Sequence, residues 1–430
     1  MAEATRRPVW AEVDLDAVRH NARSLKALAG PGTELCAVVK ADAYGHGAVS
    51  VAGAALEGGA TRLAVAVVEE GIELRESGLT APVILLSEGS PEAMESAVEH
   101  EISPAVYSVR GIDSAERAAA SVNRKVDVHL KVDTGMHRVG ADPALVVDLA
   151  KAVLGSPHLR LASVWTHFAV AEGATDEDQS YTEEQMRVYE RALAELAAAG
   201  IDVPVRHAAN SGGTIAHPRS RYDMVRCGIA LYGESPSPAL EAVLAESGTH
   251  LRPVMSIKSK VTLVRDLPAG ERPSYGRRRA LPAESTVAVI PIGYADGVPR
   301  AWFERGGTVL LGGRRRPLAG TVTMDLTIID CGPPAPSGKG VSVGDEVVLI
   351  GRQGDEVLSA ADWARVLGTI SYEILCGIGP RVPRVVIDRN AGGQAEMAPG
   401  SEVGVNASTD SSDSAESSAG GESVGTGVAR

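Results

Sequence analysis

Aromatic side chains are scarce in these 430 residues: two Phe, four Trp and nine Tyr, 3% in all. The core must then be filled mainly by Ala, Val, Leu and Ile, and each Tyr becomes worth locating. Cysteine is scarce too. Cys36, Cys227, Cys331 and Cys376 stand far apart with no C-x-x-C pair, which reads as reduced, mostly buried thiols in a cytoplasmic protein. No apolar run approaches the ~18 residues of a membrane-spanning helix, so no membrane partner is expected. Residues 1–16 contain no apolar stretch of the kind a signal peptide carries. Excess positive charge is also missing. With 42 Lys and Arg against 55 Asp and Glu, the net charge is −13, which argues against a nucleic-acid-backbone binder. His46, His137 and His207 show no metal-ligand spacing, and no H-E-x-x-H occurs, so no metal is expected.

The remainder is ordinary for a globular protein, at 44% hydrophobic and 23% charged residues, and the length suits two or three domains. Between residues 14 and 245 short apolar runs alternate with Ala-rich stretches of helical spacing. The strand candidates are Leu35–Val39, Leu63–Val65, Val83–Leu86, Ala105–Tyr107, Val126–Val132, Leu161–Trp165, Val205–His207 and Met224–Arg226. Eight such units predict an α/β chain with an N-terminal (β/α)8 TIM barrel. No G-x-G-x-x-G follows any of them to favour a dinucleotide-binding open sheet. Residues 246–388 change texture. Runs such as Met255–Val264, Thr286–Ile290, Thr308–Leu311, Leu326–Ile329 and Glu346–Leu349 lie between Gly and Pro, which predicts a mainly β C-terminal domain. Residues 1–13 are expected to pack with that domain. Residues 389–430 read as a disordered acidic tail: from Ala391 on they hold six acidic residues, one basic residue and no Leu, Ile or aromatic.

Polar residues cluster after the predicted strands, where a (β/α)8 barrel gathers its chemistry. Lys40 ends the first of them. A lysine at an apolar strand end either snorkels to solvent or, when desolvated, becomes an amine able to form a Schiff base. Asn210-Ser211-Gly212-Gly213 and Gly228-Ile229 are candidate anion cradles, and each alone also reads as an ordinary turn or cap.

Taken together, the segments resemble a known family. Val38-Val39-Lys40-Ala41-Asp42-Ala43-Tyr44-Gly45-His46-Gly47 is similar to the pyridoxal-phosphate attachment motif of alanine racemases. The resemblance continues through Lys131-Val132-Asp133-Thr134-Gly135-Met136-His137-Arg138, Thr166-His167-Phe168-Ala169, Asn210-Ser211 and Val225-Arg226-Cys227-Gly228-Ile229-Ala230-Leu231-Tyr232-Gly233. Further on come Ser274-Tyr275-Gly276, Gly293-Tyr294-Ala295-Asp296-Gly297, Thr323-Met324-Asp325, Ser371-Tyr372-Glu373-Ile374 and Arg381-Val382-Pro383-Arg384. The segments run in family order from Trp10 to Arg384.

The resemblance implies a pyridoxal 5'-phosphate enzyme that interconverts L- and D-alanine and supplies D-alanine for peptidoglycan. It implies that Lys40 holds the cofactor and that Tyr44, Ser211, Gly228, Ile229 and Tyr372 bind its phosphate. Arg226 would face the pyridine nitrogen, His167 would support it, and Arg138 would bond the ring oxygen. Arg138 and Met324 would contact substrate. Lys40 would take the proton from the D-isomer and Tyr275 from the L-isomer. Lys131 would be carbamylated, the bland alternative being a pair with Asp133. Glu172 (where many relatives carry Asp), Tyr294, Arg300 and Tyr372 would narrow the entrance. A head-to-tail homodimer with shared active sites is implied, Tyr275 and Met324 entering the partner's barrel. On this reading five of the nine tyrosines fall inside the motifs, as if aromatics were kept for chemistry rather than for the core.

Three competitors remain at this stage. A broad-specificity or serine racemase would share the core motifs. A fold-type III amino-acid decarboxylase would share the architecture but is expected to set an acid, not Arg226, against the ring nitrogen. A single-barrel cofactor carrier would lack the β domain that holds Tyr275.

Overall fold

A computed structural model of the chain describes residues 7–336, 340–389 and 395–397. The first strand, β1 (Val9–Asp14), stays out of the barrel. Asp14 caps the following helix, Leu15–Ala29, by accepting from the Ala17 amide, and Gly30 at φ 105° ends it. Eight strands follow: β2 (Glu34–Val38), β3 (Arg62–Val65), β4 (Val83–Leu85), β5 (Ile102–Val106), β6 (Val126–Lys131), β7 (Leu159–Trp165), β8 (Arg206–His207) and β9 (Met224–Cys227). They pair in parallel in the order β8-β7-β6-β5-β4-β3-β2-β9. The remaining seam is crossed by Asp223 N to Arg206 O and Arg226 N to Ala209 O, both 3.0 Å. The predicted eight segments therefore make a nearly closed barrel. Its strands are short and almost wholly buried, as parallel strands covered by helices must be.

The C-terminal domain adds β10 (Met255–Lys260), β11 (Leu263–Leu267), β12 (Ser285–Ile290), β13 (Thr308–Leu311), β14 (Arg315–Pro317), β15 (Thr327–Asp330), β16 (Glu346–Gln353), β17 (Glu356–Leu358), β18 (Arg384–Ile387) and β19 (Ala395–Met397). One sheet runs β14-β13-β16-β10-β1-β18-β19, and β11-β12-β15 form a second. The run Met255–Val264 is thus two strands of different sheets, not one. The chain turns at Val261 and Thr262, whose amides bond Asp345 O, just before β16, and Val289 O in β12. β1 lies between β10, antiparallel, and β18, parallel.

Two further readings need correction. Part of the segment read as a disordered tail is a strand: β19 pairs antiparallel with β18, Val385 opposite Met397. Its backbone bonds to an edge that β18 would otherwise leave open. The rest of that segment beyond Arg389 lies outside the described residues. The core, though mostly aliphatic, does use aromatics. Trp165, Trp302, Trp363, Tyr189, Tyr232 and Phe168 are its largest fully buried side chains.

The two domains meet beside Lys40. Arg384 from β18 donates through Nε to Gly45 O at 2.9 Å, and its other nitrogens bond the carbonyls of Ile378, Gly379 and Val382. Helix Ser371–Cys376 packs on the Lys40–Gly45 segment and brings Tyr372 within 5.9 Å of the Tyr44 ring, centroid to centroid.

Candidate active site

Lys40 leaves β2 into an unusual turn. Ala41, Asp42, Ala43 and Tyr44 all have φ of 52–55°, a left-handed conformation that disfavours L-residues by roughly 1–2 kcal/mol each. Surrounding bonds impose it. Ala41 N donates to Glu70 at 2.6 Å, Ala43 N to Val39 O at 2.8 Å, and Ala48 N to Asp42 Oδ1 at 2.8 Å. The turn sends Tyr44 back toward the strand ends while Lys40 stays at the mouth. Burial, then the charge of Arg138, holds the Lys40 amine below its ordinary pKa.

Around Lys40 lies a cavity of about 300 Å³. It brings together ten of the residues that the sequence singles out: Lys40, Tyr44, Lys131, Arg138, His167, Ser211, Arg226, Gly228, Ile229 and Tyr372. On one side Ser211 Oγ accepts from the amides of Gly228 (3.0 Å) and Ala230 (3.4 Å). A Cβ at Gly228 would stand 2.4 Å from the Tyr44 hydroxyl, so only glycine leaves that corner open. Tyr44 stacks on Tyr232 at 4.8 Å, and the Tyr232 hydroxyl donates to Val38 O at 2.8 Å. Burial pushes the phenols of Tyr44 and Tyr372 up, so both stay protonated donors.

On the other side sits Arg226, 3% exposed. Nη2 donates to Thr166 O at 2.7 Å and Ala208 O at 2.9 Å, and Nη1 donates to His207 Nδ1 at 2.8 Å. Its pKa falls to about 10 through burial, yet it remains charged at neutral pH. His167 Nδ1 is 3.3 Å from Nη2, and burial followed by the Arg226 charge holds that imidazole neutral. Lys131 is 4% exposed, with its Nζ 4.2 Å from the centre of the Trp165 ring. Burial, then Arg226 and Arg138, lowers its amine to about 7. Asp133 does not pair with it within 4 Å among the described residues. Its Oδ1 instead accepts from the amides of Gly135 and His137, both at 3.0 Å.

The lining contains Lys40, Lys131, Arg138, Arg226 and His167 and no carboxylate. Such a set is built for an anion. Backbone amides at a corner only glycine can occupy, two phenol donors and an amine of lowered pKa suit an aldehyde that carries a phosphate.

Comparison with known proteins agrees. Residues 13–236 match the family model for the alanine racemase N-terminal domain, and residues 254–386 match that for its C-terminal domain. The chain belongs to the alanine racemase family. The alanine racemase of Symbiobacterium thermophilum is 45% identical over 378 residues, 88% of this chain and 97% of that protein. That of Nostoc sp. is 42% identical, covering 87% and 95%. Among solved structures, alanine racemase from Bacillus anthracis with bound L-Ala-P has TM-score 0.83 and 37% identity, covering 91% and 98%. A histidine racemase from Leuconostoc mesenteroides has TM-score 0.80 at 29% identity, covering 90% and 100%. Alanine racemases are pyridoxal-phosphate enzymes, and the donor set fits that cofactor.

Other residues expected from the alanine racemase motifs lie outside this cavity. Tyr275 is 68% exposed on the C-terminal domain, where it lines a 650 Å³ groove on the three-stranded sheet with Leu263, Val287, Leu326 and Ile328. Met324 and Tyr294 are also exposed, bonded to each other's loops through Tyr294 N to Thr323 O and Ala295 N to Met324 O. Arg300 is exposed before the helix Ala301–Glu304. Glu172 is half-buried near Tyr372, its acid pushed up by burial. Within one chain, then, Lys40 and Tyr275 do not share a cavity. Sequence reasoning missed Trp165, which lines the cavity, and His207, which holds Arg226. For His207 the only available signal was its place at a strand end.

Proposed function

We propose that this protein interconverts L- and D-alanine with pyridoxal 5'-phosphate, using Lys40 and Tyr275 of the partner subunit as two opposed bases. The cavity around Lys40, lined by basic side chains and phenols and by no carboxylate, carries the reading. Lys40 would hold the cofactor. Tyr44, Tyr372, Ser211 and the backbone at Gly228 and Ile229 would take its phosphate. When bound, the cofactor supplies an electron sink that acidifies the substrate α-hydrogen. Arg226 would donate to the ring nitrogen. Because an arginine does not readily give up its proton, Arg226 would leave that nitrogen unprotonated and the sink weak, which would limit transamination. His167 supports Arg226, and Arg138 would bond the ring oxygen and, with Met324, the substrate.

Racemisation needs a base on each face of the α-carbon. Lys40 Nζ would take the proton from the D-isomer, and the partner's Tyr275 would take it from the L-isomer. A head-to-tail homodimer supplies that tyrosine. The exposed apolar groove that holds Tyr275 and the exposed Met324 support such a contact. Lys131, with an amine near neutrality, is the carbamylation site, and the new charge would orient Arg138. Glu172, Tyr294, Arg300 and Tyr372 would narrow the entrance and favour alanine. The protein would act in the cytoplasm and supply D-alanine for peptidoglycan. Its four free cysteines suit a reducing compartment, and no described helix is long and apolar enough to cross a membrane.

A chiral assay on both isomers, run beside a visible spectrum of the purified protein, tests this. Equal entry from L- and D-alanine into a racemic mixture, with a yellow cofactor band, is expected. A yellow protein that releases carbon dioxide or leaves alanine unchanged would overturn it. Histidine and serine belong in the same assay, since a histidine racemase shares the scaffold.

A further inference from the structure

Below the barrel mouth a line of buried polar groups crosses four adjacent strands. Arg226 on β9 donates to His207 Nδ1 on β8 at 2.8 Å. His207 Nε2 is 2.9 Å from Ser163 Oγ on β7. Ser163 Oγ is 2.6 Å from His129 Nδ1 on β6. His207 and Ser163 are 0% exposed and His129 2%.

The hydrogens along this line can be placed from one end. Arginine only donates, so His207 Nδ1 must accept. A neutral imidazole has one N–H, so the His207 proton sits on Nε2 and is given to Ser163 Oγ. The serine oxygen, with a second lone pair and one hydrogen, is then satisfied by His129 Nδ1 in either of its tautomers. Both rings are neutral. Burial, then Arg226, holds His207 far below the ordinary histidine range, and burial holds His129 at about 4. Trp165 fixes the plane of His207 by stacking at 5.5 Å with 5° between the rings, and the Arg226 guanidinium carbon lies 4.7 Å from the centre of the same indole.

We propose that Ser163 and His129 are positioning residues that, together with Arg226, hold His207 in its Nε2–H form and so keep Arg226 in place in the wall of the cavity. Without the Ser163 hydroxyl the His207 Nε2–H loses its buried acceptor, and the Nδ1–H form becomes competitive. That form turns the nitrogen facing Arg226 from acceptor into donor. Two donors then oppose each other, and the guanidinium must shift. His207 and the carbonyls of Thr166 and Ala208 take three of the five N–H groups of Arg226, and His167 Nδ1 lies 3.3 Å from Nη2, so a shift of His207 disturbs a guanidinium held on several sides. A displaced Arg226 would no longer hold the ring nitrogen unprotonated. The consequence for the reaction rests on the role given to Arg226 above, whereas the tautomer does not.

The test uses holoenzyme with 15N-labelled histidine. Long-range 1H–15N spectra report the His207 tautomer whether or not the enzyme turns over, and His207→Gln identifies its signals. The wild-type protein should show His207 as Nε2–H. Ser163→Ala should show the Nδ1–H form or a mixture, with kcat lowered about tenfold in both directions and little change in KM. It should also raise abortive transamination, in which alanine takes up water, releases pyruvate and leaves its amino group on the cofactor. Ser163→Thr, which keeps a hydroxyl, should restore both tautomer and partition, and His129→Leu should behave like Ser163→Ala. An Nδ1–H or doubly protonated His207 in the wild type overturns the proposal, even if Ser163→Ala fails to fold. So does Ser163→Ala with a wild-type tautomer and unchanged pyruvate yield. A wild-type enzyme without racemase activity would instead defeat the proposed function and leave the tautomer result standing.

Discussion

Lys131 shows how one residue can be legible in a sequence while its state is not. The motif marks the position, but only the structure shows why its amine differs from a surface lysine. The side chain is buried against Trp165, beside two arginines, and titrates near 7. Between about 7 and the ordinary lysine value, the unfolded chain binds a proton that the folded chain does not. In that window this group makes the fold more stable as pH rises. The neutral amine is also the form that captures carbon dioxide. With 13C-bicarbonate, a carbamate carbon signal should grow as pH passes about 7 and should be missing in Lys131→Arg. A signal that persists in Lys131→Arg would place the group elsewhere. Gly228 gives a second residue-scale expectation. Gly228→Ala sets a methyl 2.4 Å from the Tyr44 hydroxyl, and Tyr44 cannot retreat far because it is stacked on Tyr232. Overpacking of about 1–3 kcal/mol should appear as weakened cofactor binding in an absorbance titration, with a smaller loss of Tm. The scarcity of aromatics misled on one point at this scale. Composition cannot tell a tyrosine at a site from one in the core, and Tyr232, inside a motif, serves the site from within the core.

At the scale of elements, the barrel was legible because parallel strands buried on both faces read as plain apolar runs, and all eight predicted runs became strands. The C-terminal domain was less so. Met255–Val264 is continuous in composition, and nothing in its hydropathy marks the change of sheet at Val261 and Thr262. β19 was hidden for a different reason: a three-residue strand held by backbone bonds needs no apolar composition. The left-handed turn after Lys40 carries little sequence signal either, since of its residues only Asp42 is of a type that visits that conformation, and Ala and Tyr disfavour it. It is held by bonds to Glu70 and the carbonyl of Val39 and by the Asp42 side chain, which accepts from Ala48. The turn therefore stores strain that glycine would relieve. Ala41 is exposed at φ 52°, and Ala41→Gly should raise stability by about 1 kcal/mol in chemical unfolding. An unchanged or lower midpoint would mean that the turn relaxes in solution. Because the strain positions Lys40, activity should hold or fall slightly rather than rise with stability.

For the whole molecule, the decisive distribution is that of the two proposed bases. Lys40 lies in the barrel cavity and Tyr275 stands exposed on the other domain. No reading of a single chain could join them, because the proposed pairing is one between two copies. The family motifs suggested it, and the exposed groove gives it a surface. Subunit exchange converts this into a sharp expectation. Lys40→Ala and Tyr275→Phe should each be inactive as homodimers, with losses of about 10²-fold or more from removal of one base, and Tyr275→Phe should still bind cofactor. In a heterodimer of the two, one site receives Lys40 from the Tyr275→Phe chain and Tyr275 from the Lys40→Ala chain, and the other receives neither. Random exchange makes half of all dimers mixed, each with one intact site of two, so about a quarter of wild-type activity should return under two-fold symmetry. If both bases came from the same chain, every site in the mixture would lack one of them and no activity would return. The same mixture separates the role of the domain from that of the dimer. Activity that returns in proportion to mixed dimers, measured by the mass of the assemblies, ties catalysis to the contact between copies rather than to any movement of Tyr275 within its own chain.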